Sequence, residues 1–278
     1  MRFETYSHHL ISHISYLTSR EMNRLQQLFE KQQKGLLSIY YTAGYPNLND
    51  TLKIAETLEQ SGADFLEIGF PYSDPVADGP VIQASSKEAL DNGMTLPLLF
   101  EQLRDLREKV SIPILLMGYV NVVLQYGVEE FCKKCQEVGV DGCIIPDLPM
   151  YEYEEMYQAT FEKYGLSNIF LVTPQTSEER VRKIDGLSNA FIYLVSSAAT
   201  TGGNLSVSES SAAYFKRIAD MKLKNPFVIG FGISNKETFD AANEYASGAI
   251  IGSAFVKNID GNNLEGSIKE FMKQFKAS

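Results

Sequence analysis

Two acidic residues in one stretch of the chain are placed where they could exchange protons with a substrate. Residues 64–69 are predicted to form a β-strand, whose period of two sends Leu66 and Ile68 to one face and Glu67 to the other. If Leu66 and Ile68 pack on helices, Glu67 points to the opposite, interior side, where loss of water would raise its pKa toward neutrality. Asp78 follows in a loop punctuated by proline and glycine. We therefore predict acid–base chemistry by Glu67, with Asp78 as a second candidate for the site.

Each carboxylate also has a structural interpretation. In the structural interpretation, Glu67 is a buried acid paired with lysine or arginine. Against this, predicted strands two to four carry no basic residue near their carboxyl ends. Asp78 precedes a predicted helix, and an aspartate at such a place is often a helix cap. On spacing alone, a helix cap and a ligand contact are equally good interpretations of Asp78.

The distribution of histidine narrows the mechanism further. His8, His9 and His13 are the only histidines, and none occurs from residue 14 to residue 278. Acid–base chemistry in the folded body must then use carboxylates, tyrosine, lysine, cysteine or water. Triads that depend on histidine and the common histidine-bearing zinc sites are excluded, and we expect no metal site.

Cysteine usage points to a reducing compartment. Cys132, Cys135 and Cys143 are an odd number in a long chain, which predicts a cytoplasmic protein without a disulfide framework. Cys132 and Cys135 form a CxxC pattern, but their segment reads as an amphipathic helix with both thiols on its buried side. We interpret both as core residues, since no second CxxC or nearby histidine completes a metal or redox site.

The elements that must position the carboxylates alternate along the chain. Short apolar strands are separated by helical patterns, without a linker or a change of composition, which predicts a single (β/α)8 barrel. The alternative, a flavodoxin-like open sheet, needs only five strands, and no GxGxxG or GxxxxGK[ST] motif supports a nucleotide site. The predicted strands are residues 36–42, 64–69, 112–119, 142–146, 169–173, 191–195, 227–230 and 249–252.

The beginning of the chain differs from the rest. Residues 1–21 are rich in serine, histidine and tyrosine, lack the pattern of a secretory signal, and are interpreted as an appended segment that is dispensable. Residues 23–30 have the apolar spacing of an extra N-terminal helix lying against a larger body. We expect the catalytic barrel to span residues 22–278.

Two glycine-rich loops follow the last two predicted strands. Many barrels bind phosphate with these loops, because glycine lets backbone N–H groups approach the anion closely. The loops are residues 230–234 and 251–254, while residues 201–204, after strand six, could add a donor and a lid. The alternative is that these glycines serve only as turns.

Charge and hydropathy exclude two classes of partner. The chain carries 25 Lys and Arg against 35 Asp and Glu, a formal net charge of −10, which disfavours nucleic-acid binding. The longest apolar runs are strand-sized and far below the roughly 18 residues of a membrane span. We expect a soluble protein.

The longest motif resembles a known family. Residues 66–83 read LEIGFPYSDPVADGPVIQ, which closely resembles the signature of the tryptophan synthase alpha chain. The resemblance extends from about Met22 to the C-terminus and leaves residues 1–21 outside. Further matching motifs are YTAGYP at 41–46, MGYVN at 117–121, PDLP at 146–149, GFGIS at 230–234 and GSA at 252–254.

The resemblance implies a lyase that splits indole-3-glycerol phosphate into indole and glyceraldehyde 3-phosphate by a retro-aldol reaction, with no cofactor in this chain. Glu67 matches the family's acid–base residue at the carbon that is released. Asp78 matches the carboxylate that binds the indole N–H and stabilises positive charge on the ring. Tyr119 and Tyr193 match tyrosines of the substrate pocket, with simple packing as the alternative.

The phosphate site and the lid also carry over by resemblance. The implied phosphate contacts are Gly202, Gly232, Gly252 and Ser253, and Thr201 matches a lid threonine that steadies the catalytic aspartate. The lid departs from the family pattern SxxGVTG, because residues 196–202 read SSAATTG. The family has glycine and valine where this chain has Ala199 and Thr200. This departure is expected to affect the closure of the lid and not the reaction.

The resemblance further implies an α2β2 assembly with a beta chain that carries pyridoxal phosphate and converts indole and serine to tryptophan. The loop of residues 71–75 is expected to contact that partner. Three other interpretations remain open: a subunit that only activates the beta chain, a free-standing lyase that releases indole, and another phosphate-binding barrel enzyme such as a sugar-phosphate isomerase.

Overall fold

The chain forms a nearly closed barrel of parallel strands. The computed structural model describes residues 22–195, 209–230 and 232–275. Its sheet has nine strands in the order β5-β4-β3-β2-β1-β9-β8-β7-β6, and every pairing is parallel. The strands are β1 Leu36–Thr42, β2 Phe65–Gly69, β3 Ile114–Met117, β4 Gly142–Ile144, β5 Ser167–Ile169, β6 Leu171–Val172, β7 Ile192–Val195, β8 Phe227–Gly230 and β9 Gly248–Ile251.

The ninth strand arises because the fifth predicted strand is divided. Only Phe170 separates β5 from β6, and the two pieces pair with different neighbours, β5 with β4 and β6 with β7. The ladder changes partner at this residue, whose carbonyl oxygen accepts a hydrogen bond from Tyr193 N at 3.0 Å. The divided strand therefore connects the two ends of the sheet, and the predicted (β/α)8 barrel is confirmed.

Helices follow the strands and cover the barrel. Leu66 and Ile68 of β2 lie in the core between sheet and helices, together with Ile54 and Leu58. The described helices are α1 Arg24–Lys31, α2 Thr51–Gln60, α3 Pro80–Asp91, α4 Leu96–Gln102, α5 Leu106–Lys109, α6 Val120–Tyr126, α7 Val128–Val138, α8 Met150–Glu152 with a π-helical turn Tyr153–Tyr157, α9 Gln158–Lys163, α10 Glu178–Leu187, α11 Glu209–Asp220, α12 Lys236–Tyr245, α13 Ser253–Asn258 and α14 Leu264–Lys273.

A second apolar cluster fills the inside of the barrel. It contains residues from four different places around the sheet: Phe65 of β2, Leu115 of β3, Ile250 of β9, and Phe191, which directly precedes β7. Because side chains alternate along β2, Glu67 lies on the same face as Phe65 and points into the barrel. The orientation predicted for Glu67 is thus confirmed.

The predicted N-terminal helix closes the amino-terminal end of the barrel. Helix α1 begins after Asn23, whose side chain and that of Gln26 form a reciprocal capping box. Its apolar side places Phe29 against Phe65 and Phe191, with ring centroids 6.1 Å and 5.2 Å apart. This end of the barrel is packed, which leaves the carboxyl ends of the strands as the open face. Residues 1–21, interpreted above as dispensable, lie outside the described residues.

The three cysteines are core residues. Cys132, Cys135 and Cys143 are each fully buried and reduced, between α7 and β4. Within residues 22–195, 209–230 and 232–275, no group of three or more histidine, cysteine or acidic side chains is arranged to hold a metal ion. No helix in the same part of the chain is both long and apolar enough to span a membrane.

Candidate active site

Glu67 is a buried carboxyl group in an apolar environment. Its side chain is 0% exposed, in the middle of β2, between Tyr40 of β1 and Leu115 of β3. Neither carboxyl oxygen has a hydrogen-bond partner within the described part of the chain. Burial raises the pKa of Glu67 to about 8. The alternative of a buried acid paired with lysine or arginine is therefore wrong for the described residues, and Glu67 carries a proton at neutral pH.

Asp78 lies above Glu67 in the loop that connects β2 to α3. Helix α3 is capped by the backbone at Gly79 and receives no side-chain cap bond, so the helix-cap interpretation of Asp78 is wrong. Its Oδ2 atom instead accepts a hydrogen bond from the Tyr119 hydroxyl at 3.0 Å. Burial raises the pKa of Asp78 to about 6, and the tyrosine bond opposes that rise. Asp78 is thus mostly ionised at neutral pH.

Tyr119 holds the Asp78 loop in place. It stands immediately before α6, and its hydroxyl accepts a hydrogen bond from Ala77 N at 3.0 Å while donating to Asp78. Its ring stacks on Tyr72, with centroids 5.1 Å apart and planes inclined at 30°. Tyr119 therefore contacts Asp78 itself and two residues that precede it in the loop. The resemblance to the family indicated a pocket residue, and the bond to Asp78 adds a positioning role.

A narrow cavity opens between this loop and the strand ends. Gly118 matters to its shape, because a Cβ atom at that position would overlap with the Phe70 ring. The absence of a side chain lets Phe70 form part of the wall beside Asp78. The residues that define the cavity include Tyr40, Phe70, Asp78, Met117, Tyr119 and Pro146.

Two tyrosines inside the barrel interact electrostatically with Glu67. Tyr193 of β7 is buried, and its hydroxyl occupies the space that a side chain at Gly230 would need. Burial, followed by the charges of Glu67 and Asp78, raises the pKa of Tyr193 well above its usual value, so it stays neutral. That Tyr193 belongs to a substrate pocket stays a prediction. Tyr40, the neighbour of Glu67 on β1, was not predicted from the sequence.

The missed tyrosine has a signal in the sequence. In β1, polar Ser38, Tyr40 and Thr42 alternate with Ile39 and Tyr41, which pack toward the helices. The polar set therefore faces the barrel interior. Applying to β1 the alternation that placed Glu67 on β2 would have identified Tyr40 as a site residue.

The candidate phosphate loops lie next to each other at the open face. Strands β8 and β9 are paired, so the loops that leave them start side by side. Gly232 has a φ of +79°, a conformation that favours glycine. This conformation is equally compatible with the alternative that the glycine serves only as a turn. Gly252 precedes α13, and Ser253 is the first residue of that helix. The predicted contacts Thr201 and Gly202 lie outside the described residues.

This arrangement is that of an enzyme of the (β/α)8-barrel class, with two carboxyl groups in different environments at its candidate active site. The chain belongs to the tryptophan synthase alpha chain family, because the sequence model of that family matches residues 25–277. This family is a lyase family, in agreement with the resemblance noted from the motifs.

Individual relatives support the same assignment. The tryptophan synthase alpha chain of Flavobacterium psychrophilum is 60% identical over 253 residues, which is 91% of this chain and 99% of that protein. That of Christiangramia forsetii is 59% identical over 256 residues, covering 92% and 99%. The solved structure of tryptophan synthase subunit alpha from Legionella pneumophila has a TM-score of 0.81 at 33% identity and covers 92% of this chain and 98% of that one.

Proposed function

We propose that Glu67 and Asp78 together carry out the retro-aldol cleavage of indole-3-glycerol phosphate to indole and glyceraldehyde 3-phosphate. The observation that carries this proposal is that Glu67 is fully buried without a hydrogen-bond partner among the described residues, while Asp78 is half-buried and bonded to Tyr119. Burial accordingly raises the two pKa values to different extents, to about 8 for Glu67 and about 6 for Asp78. Near neutral pH, one carboxyl group holds a proton while the other is charged. An acid and an anion close together are what the reaction needs.

The first step is protonation of the indole ring. Glu67 transfers its proton to C3 of indole, the carbon attached to the glycerol chain, and the ring becomes an indoleninium-like cation. The positive charge spreads to the ring nitrogen, where the Asp78 carboxylate accepts the N–H bond and stabilises the charge. Because Asp78 is held by Tyr119, little reorganisation is needed when the cation forms.

The second step breaks the carbon–carbon bond. The Glu67 carboxylate takes the proton of the hydroxyl on the adjacent glycerol carbon, which becomes the aldehyde. The electron pair of the breaking bond returns to the ring and restores neutral indole. Glu67 ends with the proton that it started with, so two carboxylates account for every proton and the chain requires no cofactor.

The glycerol phosphate would be held at the open face of the barrel, by the loops that follow β8 and β9. We assign the phosphate to backbone N–H groups at Gly232, Gly252 and Ser253, supported by the adjacency of the two loops. Gly202 would add a further contact, and Thr201 would steady Asp78 when the lid closes, both by resemblance to the family. Tyr193 would line the pocket beside Glu67.

The partner would be a tryptophan synthase beta chain in an α2β2 assembly, with pyridoxal phosphate in the beta chain. The supporting feature is the loop between β2 and α3, which carries Asp78 and exposes Asp74 and Val76, the latter at 81%. A partner that covered this loop would bury an apolar side chain and steady Asp78. Indole is small and apolar, so direct transfer to the partner would prevent its loss. Three reduced cysteines fit a cytoplasmic assembly.

The experiment is a titration of the purified chain with its cognate beta chain while indole release from indole-3-glycerol phosphate is followed. We expect weak activity alone and a large increase on complex formation, reduced when Asp74 is changed to Ala. Full activity alone, with no complex at micromolar concentrations, would favour the free-standing lyase. Absence of cleavage alone and in the complex would favour the activating-subunit interpretation. A chain lacking residues 2–21 should behave like the full chain.

A further inference from the structure

Tyr40 lies in the barrel interior directly beside Glu67. The two residues are Cα partners in the parallel pairing of β1 with β2, and both side chains enter the barrel. Tyr40 is 9% exposed and lines the same cavity as Asp78. The polar side chain of Tyr40 therefore faces the candidate active site and not the core between the sheet and the helices.

The Tyr40 side chain runs along the barrel wall between two site loops. A Cβ atom built on Gly252 would lie 3.5 Å from Tyr40 Cβ, an ordinary contact. At the other end, the hydroxyl overlaps the space that a Cβ atom on Gly69 would need. Gly69 ends β2, two residues after Glu67. The hydroxyl is therefore located at the carboxyl end of β2, between Glu67 and the loop that bears Asp78.

The hydrogen bonds around Tyr40 determine which hydroxyl group donates in each bond. Ser85 Oγ donates to Ile82 O at 3.0 Å, so in its 2.7 Å bond with Thr42 Oγ1 it accepts and Thr42 donates. The Thr42 proton is thus committed, and Thr42 can only accept from Tyr40. That contact measures 3.5 Å, the outer limit of a hydrogen bond. Tyr40 consequently has a proton that it can redirect at little cost by rotation about its Cζ–Oη bond.

The titratable groups that interact electrostatically with Tyr40 or Glu67 come from three elements. They are Asp78 in the loop after β2, Tyr119 before α6 and Tyr193 on β7. Burial and the Asp78 carboxylate raise the pKa of Tyr40 far above its usual value. Tyr40 therefore keeps its proton throughout the working range of pH and acts only as a donor toward an anion.

Glu67 needs such a donor during the reaction. In the resting state its carboxyl group is protonated and tolerates an apolar environment, but after proton transfer it becomes a buried carboxylate without a partner. We propose that Tyr40 is a positioning residue whose hydroxyl donates a hydrogen bond to the Glu67 carboxylate once Glu67 has released its proton. This inference rests on the proposed function, in which Glu67 alternates between acid and base.

The test is Tyr40→Phe in the full chain, with cleavage of indole-3-glycerol phosphate measured across pH. A hydrogen bond to the charged form lowers the pKa of Glu67, so its removal should move the alkaline limb of kcat upward by about one pH unit. We expect kcat near neutral pH to fall about tenfold while KM changes less than about twofold. A purely structural role would not move the pH limb.

Tyr41→Phe is the matched control. Tyr41 is the next residue of β1, and its hydroxyl donates to Thr51 O at 2.9 Å on the helix-facing side. Its loss should lower the melting temperature and leave the pH profile unchanged. A Tyr40→Phe profile that coincides with wild type would overturn the inference while the proposed function stands, whereas a wild-type chain without cleavage would defeat the proposed function.

A second measurement does not depend on activity. In protein labelled with 13C at the glutamate carboxyl carbon, the resonance that disappears in Glu67→Gln belongs to Glu67. Tyr40→Phe should raise the midpoint of that resonance, and Tyr41→Phe should not. An unchanged midpoint in Tyr40→Phe would contradict the hydrogen bond even if the reaction proved to be different.

Discussion

The strand that carries Glu67 and the loop that carries Asp78 are neighbours in sequence but opposite in construction. Glu67 is fixed by backbone ladders on both sides, to β1 and to β3, and its carboxyl group is fully enclosed. Asp78 is half-buried on a loop, and its carboxyl group accepts a hydrogen bond from the Tyr119 hydroxyl, which belongs to a different loop. One group is rigid and dry, and the other is adjustable and partly solvated.

In the proposed reaction, this difference accounts for the two chemical roles. Complete burial without a partner keeps Glu67 protonated, so the rigid group is the acid that must reach one carbon atom. Partial burial with a tyrosine donor keeps Asp78 ionised, so the adjustable group is the anion that receives a developing charge. The same type of functional group would then have two different roles because its surroundings differ.

The largest effect is expected from Glu67→Gln. Glutamine keeps the shape of the protonated acid but cannot transfer a proton, so turnover of indole-3-glycerol phosphate should fall by about 10²- to 10⁴-fold. Binding of a glycerol phosphate analogue should be retained, because the candidate phosphate loops follow β8 and β9, neither of which pairs with β2. The exposed Glu244→Gln serves as control and should keep wild-type turnover. A Glu67→Gln chain with more than about a hundredth of normal turnover would contradict the acid role.

Asp78→Asn should have the next largest effect. The amide can still contact the indole N–H, but the charge that stabilises the cation is lost, and we expect turnover to fall about 10²- to 10³-fold. Thermal stability should hold, because Asp78 forms no helix-cap bond. The control is Asp91→Asn, an exposed change at the end of α3. Normal turnover combined with a lowered melting temperature would revive the helix-cap interpretation.

The environment of Glu67 on its strand is easier to predict from the sequence than the environment of Asp78 on its loop. The alternation around Glu67 is a local property that the pleat of a strand enforces, so both its orientation and its burial could be predicted. The loop has no such period. Whether Asp78 caps a helix or faces a cavity depends on Tyr119, which is distant in sequence and comes close only because β2 and β3 are neighbours.

The division of the fifth strand shows the same limit at the level of the fold. Residues 169–173 are predicted as one strand, and nothing local marks Phe170 as the point where the ladder changes neighbour. The change follows from closing a sheet into a barrel, a global requirement. Tyr40, by contrast, could have been predicted from the alternation of β1, because the information was local.

The buried acid should also appear in the stability of the protein. Between the unfolded pKa of glutamate, about 4.3, and about 8 in the folded state, the folded protein binds a proton that the unfolded chain does not. Stability contributed by Glu67 is present at low pH and declines as pH rises through this window, by about 1.4 kcal/mol per pH unit. Asp78 adds to the decline only below about pH 6.

Chemical denaturation of wild type and Glu67→Gln at pH 6, 7 and 8 measures this effect. The free energy of unfolding of wild type should fall relative to that of the variant across the series, because glutamine does not titrate. Parallel curves for the two proteins would mean that the Glu67 carboxyl group is solvated or paired in solution, and the acid role would lose its physical basis.

The smallest effect is expected on the loop side, from Tyr119→Phe. The hydroxyl donates to ionised Asp78, so its removal destabilises the charged form and raises the pKa of Asp78 above about 6. The acid limb of kcat/KM should move upward by roughly half to one pH unit, with a loss of about three- to tenfold near pH 5.5 and less than about twofold at pH 8. Tyr72→Phe is the matched control, since it keeps the ring stacked on Tyr119 without touching the Asp78 bond. An unshifted acid limb in Tyr119→Phe would mean that some other group fixes the charge of Asp78, such as the lid threonine Thr201. The change should also leave the alkaline limb in place, because that limb belongs to Glu67 on its rigid strand, so the two limbs report separately on the two regions.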